Sequence, residues 1–248
     1  MIVVIDYGMG NLRSVSKALE SLGAAVRVSG DPADVASAEK LVLPGVGAFP
    51  AAMRELTARR LVDPIKAAIA SGTPYLGICL GLQLLFERSE EGEGAEGLGV
   101  LAGTVKRFSF DAERSPSAAP LKVPHMGWNQ VHSEGKPALS PSAVSSGTAY
   151  SAPSDRLTPP LPGGGIPFQV AGGQPSCPLL RGIAEGSFVY FVHSYYADPR
   201  DRSVVALESE YGVTFTAMVW RERLYATQFH PEKSQSVGLQ LLRNFVAL

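Results

Sequence analysis

The sequence contains few cysteines, almost equal numbers of positive and negative residues, and no long apolar run. Its 248 residues include two cysteines, too few for a disulfide framework, which fits a reducing compartment. The formal net charge is -1, so the chain offers no basic stripe of the kind that binds nucleic acid. No apolar run approaches the length of a membrane span, and the first residues are strand-like, without the pattern of a signal peptide. We therefore expect a cytoplasmic protein that binds neither nucleic acid nor membranes.

Short apolar runs alternate with helical patterns through the first third of the chain. The pattern predicts strands at 2–5, 24–28, 40–43 and 73–78, and helices at 12–22, from Asp31, from Phe49 and from Asp63. Such alternation is typical of a mostly parallel sheet that helices cover on both faces. Ligands of these sheets bind beyond the carboxyl ends of the strands, where the turns after Asp6, Leu43 and Ile78 are expected to meet.

The segment Gly77-Ile-Cys-Leu-Gly81 has the form of a nucleophile elbow, with Cys79 at a sharp turn from strand to helix. A thiol at the start of a helix feels the positive end of the helix dipole, which favours the thiolate. The same pattern also fits a buried, inert cysteine beside two glycines, because free cysteine is one of the most buried residue types. The window alone leaves both interpretations open.

The rest of the chain is predicted to be richer in antiparallel strands. We expect the helix after Cys79 to run over 80–87, strands at 98–108, 123–131, 188–196, 204–208, 213–220 and 224–229, and a last helix from Ser234. Residues 134–176 contain 8 Pro, 7 Gly and 7 Ser in 43 positions, which predicts a loop or disordered insertion. The chain is therefore interpreted as a single domain, 1–248, that carries this insertion.

A nucleophilic thiol needs a base, and His230 is the best candidate among the four histidines. It follows a predicted strand, and Pro231 places the Glu232 carboxylate two residues away, where it can hold one imidazole nitrogen. The other histidines have no such neighbour, and Cys177, at the end of the insertion, is interpreted as incidental. No Cys or His spacing typical of a metal site occurs. Gly8-Met-Gly10 lacks the third glycine of the dinucleotide fingerprint, so no cofactor is expected.

Three segments in this order resemble the signature segments of the class I (triad) glutamine amidotransferases: Pro44-Gly-Val-Gly47, Gly77-Ile-Cys-Leu-Gly-Leu-Gln83 and Phe229-His-Pro-Glu232. Within that class, four further segments resemble the glutaminase subunits of imidazole glycerol phosphate synthase: residues 6–14, 125–129, 190–195 and 230–234. The resemblance covers residues 1–132 and 178–248, and it implies an α/β, flavodoxin-like fold with an antiparallel C-terminal portion.

The resemblance also implies a mechanism. Cys79 would attack the side-chain carboxamide of L-glutamine, His230 would transfer the proton, and Glu232 would orient His230. The backbone N–H groups of Val46, Gly47 and Leu80 would form the oxyanion hole, so the conformation of this loop could switch activity. By similarity, the residues that would hold glutamine are Gly45, Gln83, Glu91, Ser194 and Tyr195. Glu90 and Glu93 compete with Glu91 for the α-ammonium group, and Gln83 could instead be an ordinary exposed helical residue.

The partner implied by the resemblance is a (β/α)₈-barrel cyclase subunit, which would receive the ammonia within a heterodimer and activate the glutaminase. Positions that match the docking face are Met9, Asn11, His125, Trp128, Asn129 and Lys233, although Trp128 also suits a core. The insertion could lengthen this interface or extend into solvent. Two alternative functions remain open: a glutaminase subunit for anthranilate, carbamoyl phosphate or pyridoxal phosphate synthesis, and a catalytically silent docking subunit.

Overall fold

The computed structural model describes residues 1–110, 121–133 and 177–248. In this part of the chain the strands are β1 (Ile2–Ile5), β2 (Val26–Ser29), β3 (Lys40–Gly45), β4 (Tyr75–Cys79), β5 (Phe86–Ser89), β6 (Ala95–Glu96), β7 (Leu101–Arg107), β8 (His125–Gln130), β9 (Phe188–His193), β10 (Tyr195–Pro199), β11 (Val205–Glu210), β12 (Thr214–Arg221) and β13 (Leu224–Thr227). The α-helices are α1 (Leu12–Ser21), α2 (Pro32–Ala36), α3 (Phe49–Ala58), α4 (Val62–Ala70), α5 (Leu80–Gln83) and α6 (Gln235–Val246). No described helix is long and apolar enough to cross a membrane.

A seven-stranded sheet organises the fold, in the order β11-β12-β13-β4-β3-β1-β2. The pairs from β13 to β2 are parallel, whereas β11, β12 and β13 pair antiparallel. Residues of β1, β3 and β4 are buried on both faces, which explains their continuous apolar runs. The prediction of a mostly parallel, flavodoxin-like sheet with an antiparallel C-terminal portion is confirmed.

Two apolar clusters cover the two faces of this sheet. On one face α1 and α6 pack through Val15, Leu19, Leu241 and Phe245, and on the other α3 and α4 pack through residues that include Leu56. These residues recur every three or four positions along each helix, so each helix buries a single apolar stripe. The predicted N-cap Asp31 is confirmed, because its Oδ1 accepts from the backbone N–H of Ala33 at 2.8 Å.

Three predicted elements differ from the structure. The helix predicted over 80–87 is a single turn that ends at Gln83, because Phe86 pairs with Leu101 in a second sheet, β10-β7-β5-β6. The helix predicted to be capped by Asp63 begins at Val62, so Asp63 lies in its first turn. The run predicted as one strand over 188–196 is divided at Ser194.

That division separates two sheets. Strand β9 pairs antiparallel with β8, and β10 pairs antiparallel with β7. Cross-strand pairing overrides the continuous β propensity of the run, so the chain changes sheet at Ser194. The predicted insertion at 134–176 lies outside the described residues, but the strands on either side of it are neighbours, since Gln130 pairs with Phe188.

Candidate active site

Cys79 lies at the end of β4 in a conformation that few non-glycine residues adopt, with φ 55° and ψ -107°. The backbone crowds this turn. A Cβ atom on Gly81 would lie 1.9 Å from the Leu43 carbonyl oxygen, and one on Gly77 would lie 2.5 Å from the Gly81 carbonyl oxygen. Only glycine therefore fits at either position, and the strained turn holds the Cys79 side chain beyond the end of the sheet.

His230 follows β13, and several hydrogen bonds fix its backbone beside β9. Its N–H donates to the Tyr190 carbonyl at 2.9 Å, and its carbonyl accepts from the Ser234 hydroxyl at 2.6 Å. The Ser234 hydroxyl oxygen in turn accepts from the Tyr190 N–H at 3.0 Å. Sequence reasoning missed Ser234, although the serine directly after a His-Pro-Glu-Lys segment is a typical backbone-bonding residue.

The His230 ring is paired with a buried carboxylate. Its Nδ1 lies 2.9 Å from Glu232 Oε1, and the two side chains are 2% and 1% exposed. Among the described residues Nε2 is buried and makes no hydrogen bond, so this nitrogen is available to a reacting group. Burial opposes a charge on the ring, but interactions with Cys79 and Glu232 outweigh it and raise the pKa of His230 to about 10.

Cys79 and His230 line one cavity of about 430 Å³ at the carboxyl end of the parallel sheet. The wall also contains the other predicted site residues Val46, Gly47, Leu80, Gln83, Glu91, Ser194 and Tyr195, together with Pro124, Val192 and His193. Glu232 lies behind His230 and does not line the cavity. Gly45 does not line it either, and a Cβ there would lie 2.6 Å from the Tyr7 hydroxyl and 2.8 Å from the Leu80 Cβ. The structure thus brings together residues up to 184 positions apart in the sequence, from Val46 to His230.

Of the three competing acids, Glu91 alone lines this cavity. Its Oε2 accepts from the backbone N–H of Phe49, the first residue of α3, at 2.7 Å. Glu90 is engaged elsewhere, since its Oε2 accepts from the Arg107 N–H at 3.0 Å. The position of Glu91 therefore agrees with a carboxylate that faces a bound substrate, whereas that of Glu90 does not.

Gln83 is buried, 5% exposed, and is not the exposed helical residue that the sequence alone allowed. Its Nε2 donates to the Tyr195 carbonyl at 2.9 Å and to Gln228 Oε1 at 3.0 Å. The Gln228 Nε2 group donates to Cys79 Sγ at 3.6 Å. Sequence reasoning missed Gln228, and the signal that was present is a lone amide in the predicted strand 224–229, two positions before His230.

A pair of neutral histidines supports the wall of the cavity. His193 Nδ1 lies 2.9 Å from the Tyr195 carbonyl, and its Nε2 lies 3.0 Å from His125 Nδ1. Because the carbonyl only accepts, His193 carries its proton on Nδ1, and His125 must then donate from its own Nδ1. Burial lowers the pKa of His193 to about 3 and that of His125 to about 4. These rings are therefore uncharged at neutral pH.

The six predicted interface residues differ in how far they are exposed to solvent. Trp128 and Lys233 are exposed, with Lys233 Nζ 5.7 Å from the centroid of the Tyr190 ring, and Met9, Asn11 and Asn129 are half-buried. The prediction that Trp128 could be core is not supported, since 42% of it is exposed. His125 differs from the others because its ring is buried against Tyr211, at 4.0 Å between ring centroids.

Cys177 does not belong to this site. Cys177 is buried elsewhere in the core, and burial raises the pKa of its thiol to about 12. No group of three or more His, Cys, Asp or Glu side chains able to hold a metal ion occurs in 1–110, 121–133 and 177–248. The chemistry that the described arrangement can perform is that of a thiol, an imidazole and a carboxylate in sequence.

Comparison with known proteins agrees with this arrangement. Residues 3–248 match the family described as "Glutamine amidotransferase class-I". The "Imidazole glycerol phosphate synthase subunit HisH" of Syntrophotalea carbinolica is 49% identical, over 99% of this chain and 98% of its own length. The protein of the same name from Dechloromonas aromatica is 48% identical, over 99% of this chain and 95% of its own length.

Solved structures share the fold at lower identity. A glutamine amidotransferase crystal structure has a TM-score of 0.62 and 15% identity, over 100% of this chain and 99% of that one. The structure of PurLQS from Thermotoga maritima has a TM-score of 0.60 and 18% identity, over 99% and 97% of the two chains.

Proposed function

The chain belongs to the class I glutamine amidotransferases, and on that premise we propose that it is the glutaminase subunit of imidazole glycerol phosphate synthase, in histidine biosynthesis. It hydrolyses L-glutamine to glutamate and ammonia. The observation that carries the chemistry is the buried His230–Glu232 pair, whose free Nε2 shares a cavity with Cys79. The relatives at 48% and 49% identity support this synthase over those for anthranilate, carbamoyl phosphate or pyridoxal phosphate.

In the proposed reaction the Cys79 sulfur attacks the carboxamide carbon of glutamine. The C–N bond breaks as His230 gives its Nε2 proton to the leaving ammonia, and a thioester forms. His230 then takes a proton from water, which attacks the thioester and releases glutamate and the thiol. Glu232 holds Nδ1 of the ring, so it fixes the tautomer and stabilises the imidazolium in both steps.

The negative oxygen of each tetrahedral intermediate needs donors that are already in place. We assign this role to the backbone N–H groups of Leu80 and of Val46 or Gly47, all of which belong to residues that line the cavity. Glutamine would contact Gln83, Glu91, Ser194 and Tyr195, with Glu91 nearest the α-ammonium group. Gly45 does not line the cavity, so its predicted contact with glutamine is left out of this proposal. Ser194 and Tyr195 are available there because the chain changes sheet at Ser194.

The proposed partner is a (β/α)₈-barrel cyclase subunit that receives the ammonia within a heterodimer. The surface that supports this proposal is formed by Met126 and Trp128 on β8 and by Phe188, Tyr190 and Lys233 beside them. Met126 is 63% exposed and Phe188 is 44% exposed, and exposed large apolar side chains on one surface are typical of a protein–protein interface. The single domain with its insertion at 134–176 and the cytoplasmic location remain proposals of the same kind.

The test is glutamine hydrolysis by the full chain, alone and with the cyclase and its nucleotide ligand. We expect slow hydrolysis alone, strong stimulation in the complex, and a loss of at least about 10⁴-fold in Cys79→Ala. Cys177→Ala is the matched control and should retain activity. Unchanged hydrolysis in Cys79→Ala would refute the nucleophile, full turnover by the isolated chain would refute the need for a partner, and stimulation by an anthranilate synthase partner alone would refute the choice of synthase.

A further inference from the structure

The one-turn helix after Cys79 leaves the sulfur without the support that the sequence predicted. Helix α5 contains four residues, Leu80–Gln83, and so few aligned peptides give only a small dipole. The Val192 carbonyl oxygen lies 3.8 Å from Sγ, where it accepts from a thiol but repels a thiolate. His230 faces the sulfur, and its interactions with Cys79 and Glu232 raise its pKa to about 10, so it brings a positive charge to the site. A further hydrogen-bond donor to the sulfur would add to this support.

Gln228 supplies this further donor. Its Nε2 lies 3.6 Å from Cys79 Sγ, and the residue is completely buried. A hydrogen bond from a buried amide to a charged acceptor is stronger than one to a neutral acceptor, and it does not compete with water. We propose that Gln228 is a further catalytic residue, which stabilises the Cys79 thiolate by donating an N–H to it, and that Gln83 holds Gln228 in the orientation that this requires.

The orientation of the Gln228 amide follows from a chain of partners with fixed roles. The Tyr195 carbonyl can only accept, so Gln83 must turn its NH₂ group toward it, at 2.9 Å. The second proton of that NH₂ group then meets Gln228 Oε1 at 3.0 Å. With its oxygen bound to Gln83, Gln228 can present only its own NH₂ group to the sulfur. Gln83 thus acts on Cys79 through Gln228, in addition to lining the cavity.

The titratable groups that face Cys79 come from four segments. His230 follows β13, Glu91 and His193 lie across the cavity, and Tyr7 follows β1. Burial and the nearby Cys79 raise the pKa of Tyr7 well above its usual range, so Tyr7 stays neutral together with His193. Besides Cys79 itself, the groups beside the sulfur that can carry a charge are therefore His230 and Glu91, and a substitution at Gln228 removes neither of them.

This inference rests on the proposed role of Cys79 as nucleophile, but its test does not require glutamine turnover. The measurement is the rate at which iodoacetamide alkylates Cys79 in the full chain as a function of pH, followed by mass spectrometry of the peptide that contains it. The reagent reacts with the thiolate, so the midpoint of the profile reports the stability of the charged form. Alkylation of the buried Cys177 in the same sample serves as the internal reference for unfolding of the chain.

We expect Gln228→Met to move the midpoint upward by about one pH unit, which lowers the rate about tenfold below the midpoint. Gln83→Met should move it in the same direction by less, because Gln228 keeps its donor but loses its anchor. Asn244→Leu is the matched control: it removes an amide in α6 that donates to the Leu179 and Arg181 carbonyls, and it should leave the midpoint unchanged.

An unchanged midpoint in folded Gln228→Met would overturn the proposal, and an unchanged midpoint in Gln83→Met would overturn the positioning role of Gln83. If the methionine variant does not fold, Gln228→Asn is used instead, because it shortens the side chain by one methylene group and moves the donor away from the sulfur. This variant must shift the midpoint in the same direction, or the proposal fails. Glutamine hydrolysis by the unaltered complex is measured separately. Its failure would overturn the proposed function and leave the alkylation result to be judged alone.

Discussion

The neutral His125–His193 pair predicts that the protein loses stability steeply in mild acid. Both rings are buried, 3% and 6% exposed, and aromatic side chains surround them, among them Phe191, Phe215 and Tyr211. In the unfolded chain a histidine has a pKa near 6.5, whereas burial lowers the pKa of His125 to about 4 and that of His193 to about 3 in the fold. Unfolding therefore takes up protons in this window.

The sign and size of the effect follow from proton linkage. Between about pH 6.5 and 4 the unfolded state binds protons that the folded state does not, so the free energy of unfolding falls as the pH falls. Each ring contributes about 1.4 kcal/mol per pH unit, and both together remove about 6 kcal/mol by pH 4. That loss is comparable to the whole stability of a typical domain, about 5–15 kcal/mol.

The other histidines do not reverse this trend. Burial also lowers the pKa of His132, in spite of the nearby Glu185 and Glu210 carboxylates, so His132 adds to the loss. His230, with a pKa raised to about 10, is protonated in both states below about pH 6. Its stabilising contribution is complete in acid and is lost only as the pH rises from about 6.5 to 10.

The assay is urea unfolding of the full chain, followed by far-UV circular dichroism at several pH values and constant ionic strength. The His125→Phe variant keeps an aromatic ring against Tyr211 and Phe191 but removes one titrating group. Its free energy of unfolding should depend on pH about half as steeply as that of the unaltered protein, apart from the contribution of His132. A free energy that stays constant between pH 6.5 and 4.5 in the unaltered chain, or an equally steep dependence in the variant, would refute the reasoning.

Two further predictions concern the elbow and the triad. Gly81→Ala places a Cβ 1.9 Å from the Leu43 carbonyl oxygen and should lower the free energy of unfolding in urea by about 3 kcal/mol or more. The control Gly23→Ala, with φ 83° but open space around it, should lower it by only about 1–2 kcal/mol, and equal losses would contradict the steric argument. Glu232→Gln should lower kcat/KM for glutamine about 10²- to 10⁴-fold in the complex, because the amide no longer fixes the His230 tautomer. The control Glu96→Gln, at an exposed position, should leave kcat/KM unchanged, and a loss of less than about threefold in Glu232→Gln would remove Glu232 from the mechanism.

The positions of the parallel strands could be predicted because their sequence signal is local. The apolar runs of β1, β3 and β4 are buried on both faces and end in glycine-rich turns, so length and hydrophobicity alone locate them. The elbow has an equally local signal in Gly77, Cys79 and Gly81. The triad was found because Pro231 keeps Glu232 close to His230 in sequence as well as in space.

Elements whose form depends on distant partners could not be predicted in the same way. Leu84 and Leu85 continue a helical pattern, but the pairing of Phe86 with Leu101 ends the helix at Gln83. Residues 188–196 form one β-prone run, and only the separate partners of β9 and β10 show that the chain changes sheet at Ser194. In both cases tertiary pairing overrides local propensity.

The same distinction explains why Gln228 was missed and why it matters. Gln83 and Gln228 are 145 residues apart, so no periodicity or spacing connects them, and a single glutamine in a strand predicts nothing by itself. The sequence suggested instead that a helix dipole activates Cys79, yet α5 has only one turn. A short helix can still orient a nucleophile, because orientation needs only a sharp turn, but it cannot supply much charge stabilisation. Stabilisation must then come from the His230 ring and from individual donors, one of which is Gln228, directly after β13. The residue that supports the thiolate and the residue that exchanges its proton therefore lie on one segment, two positions apart.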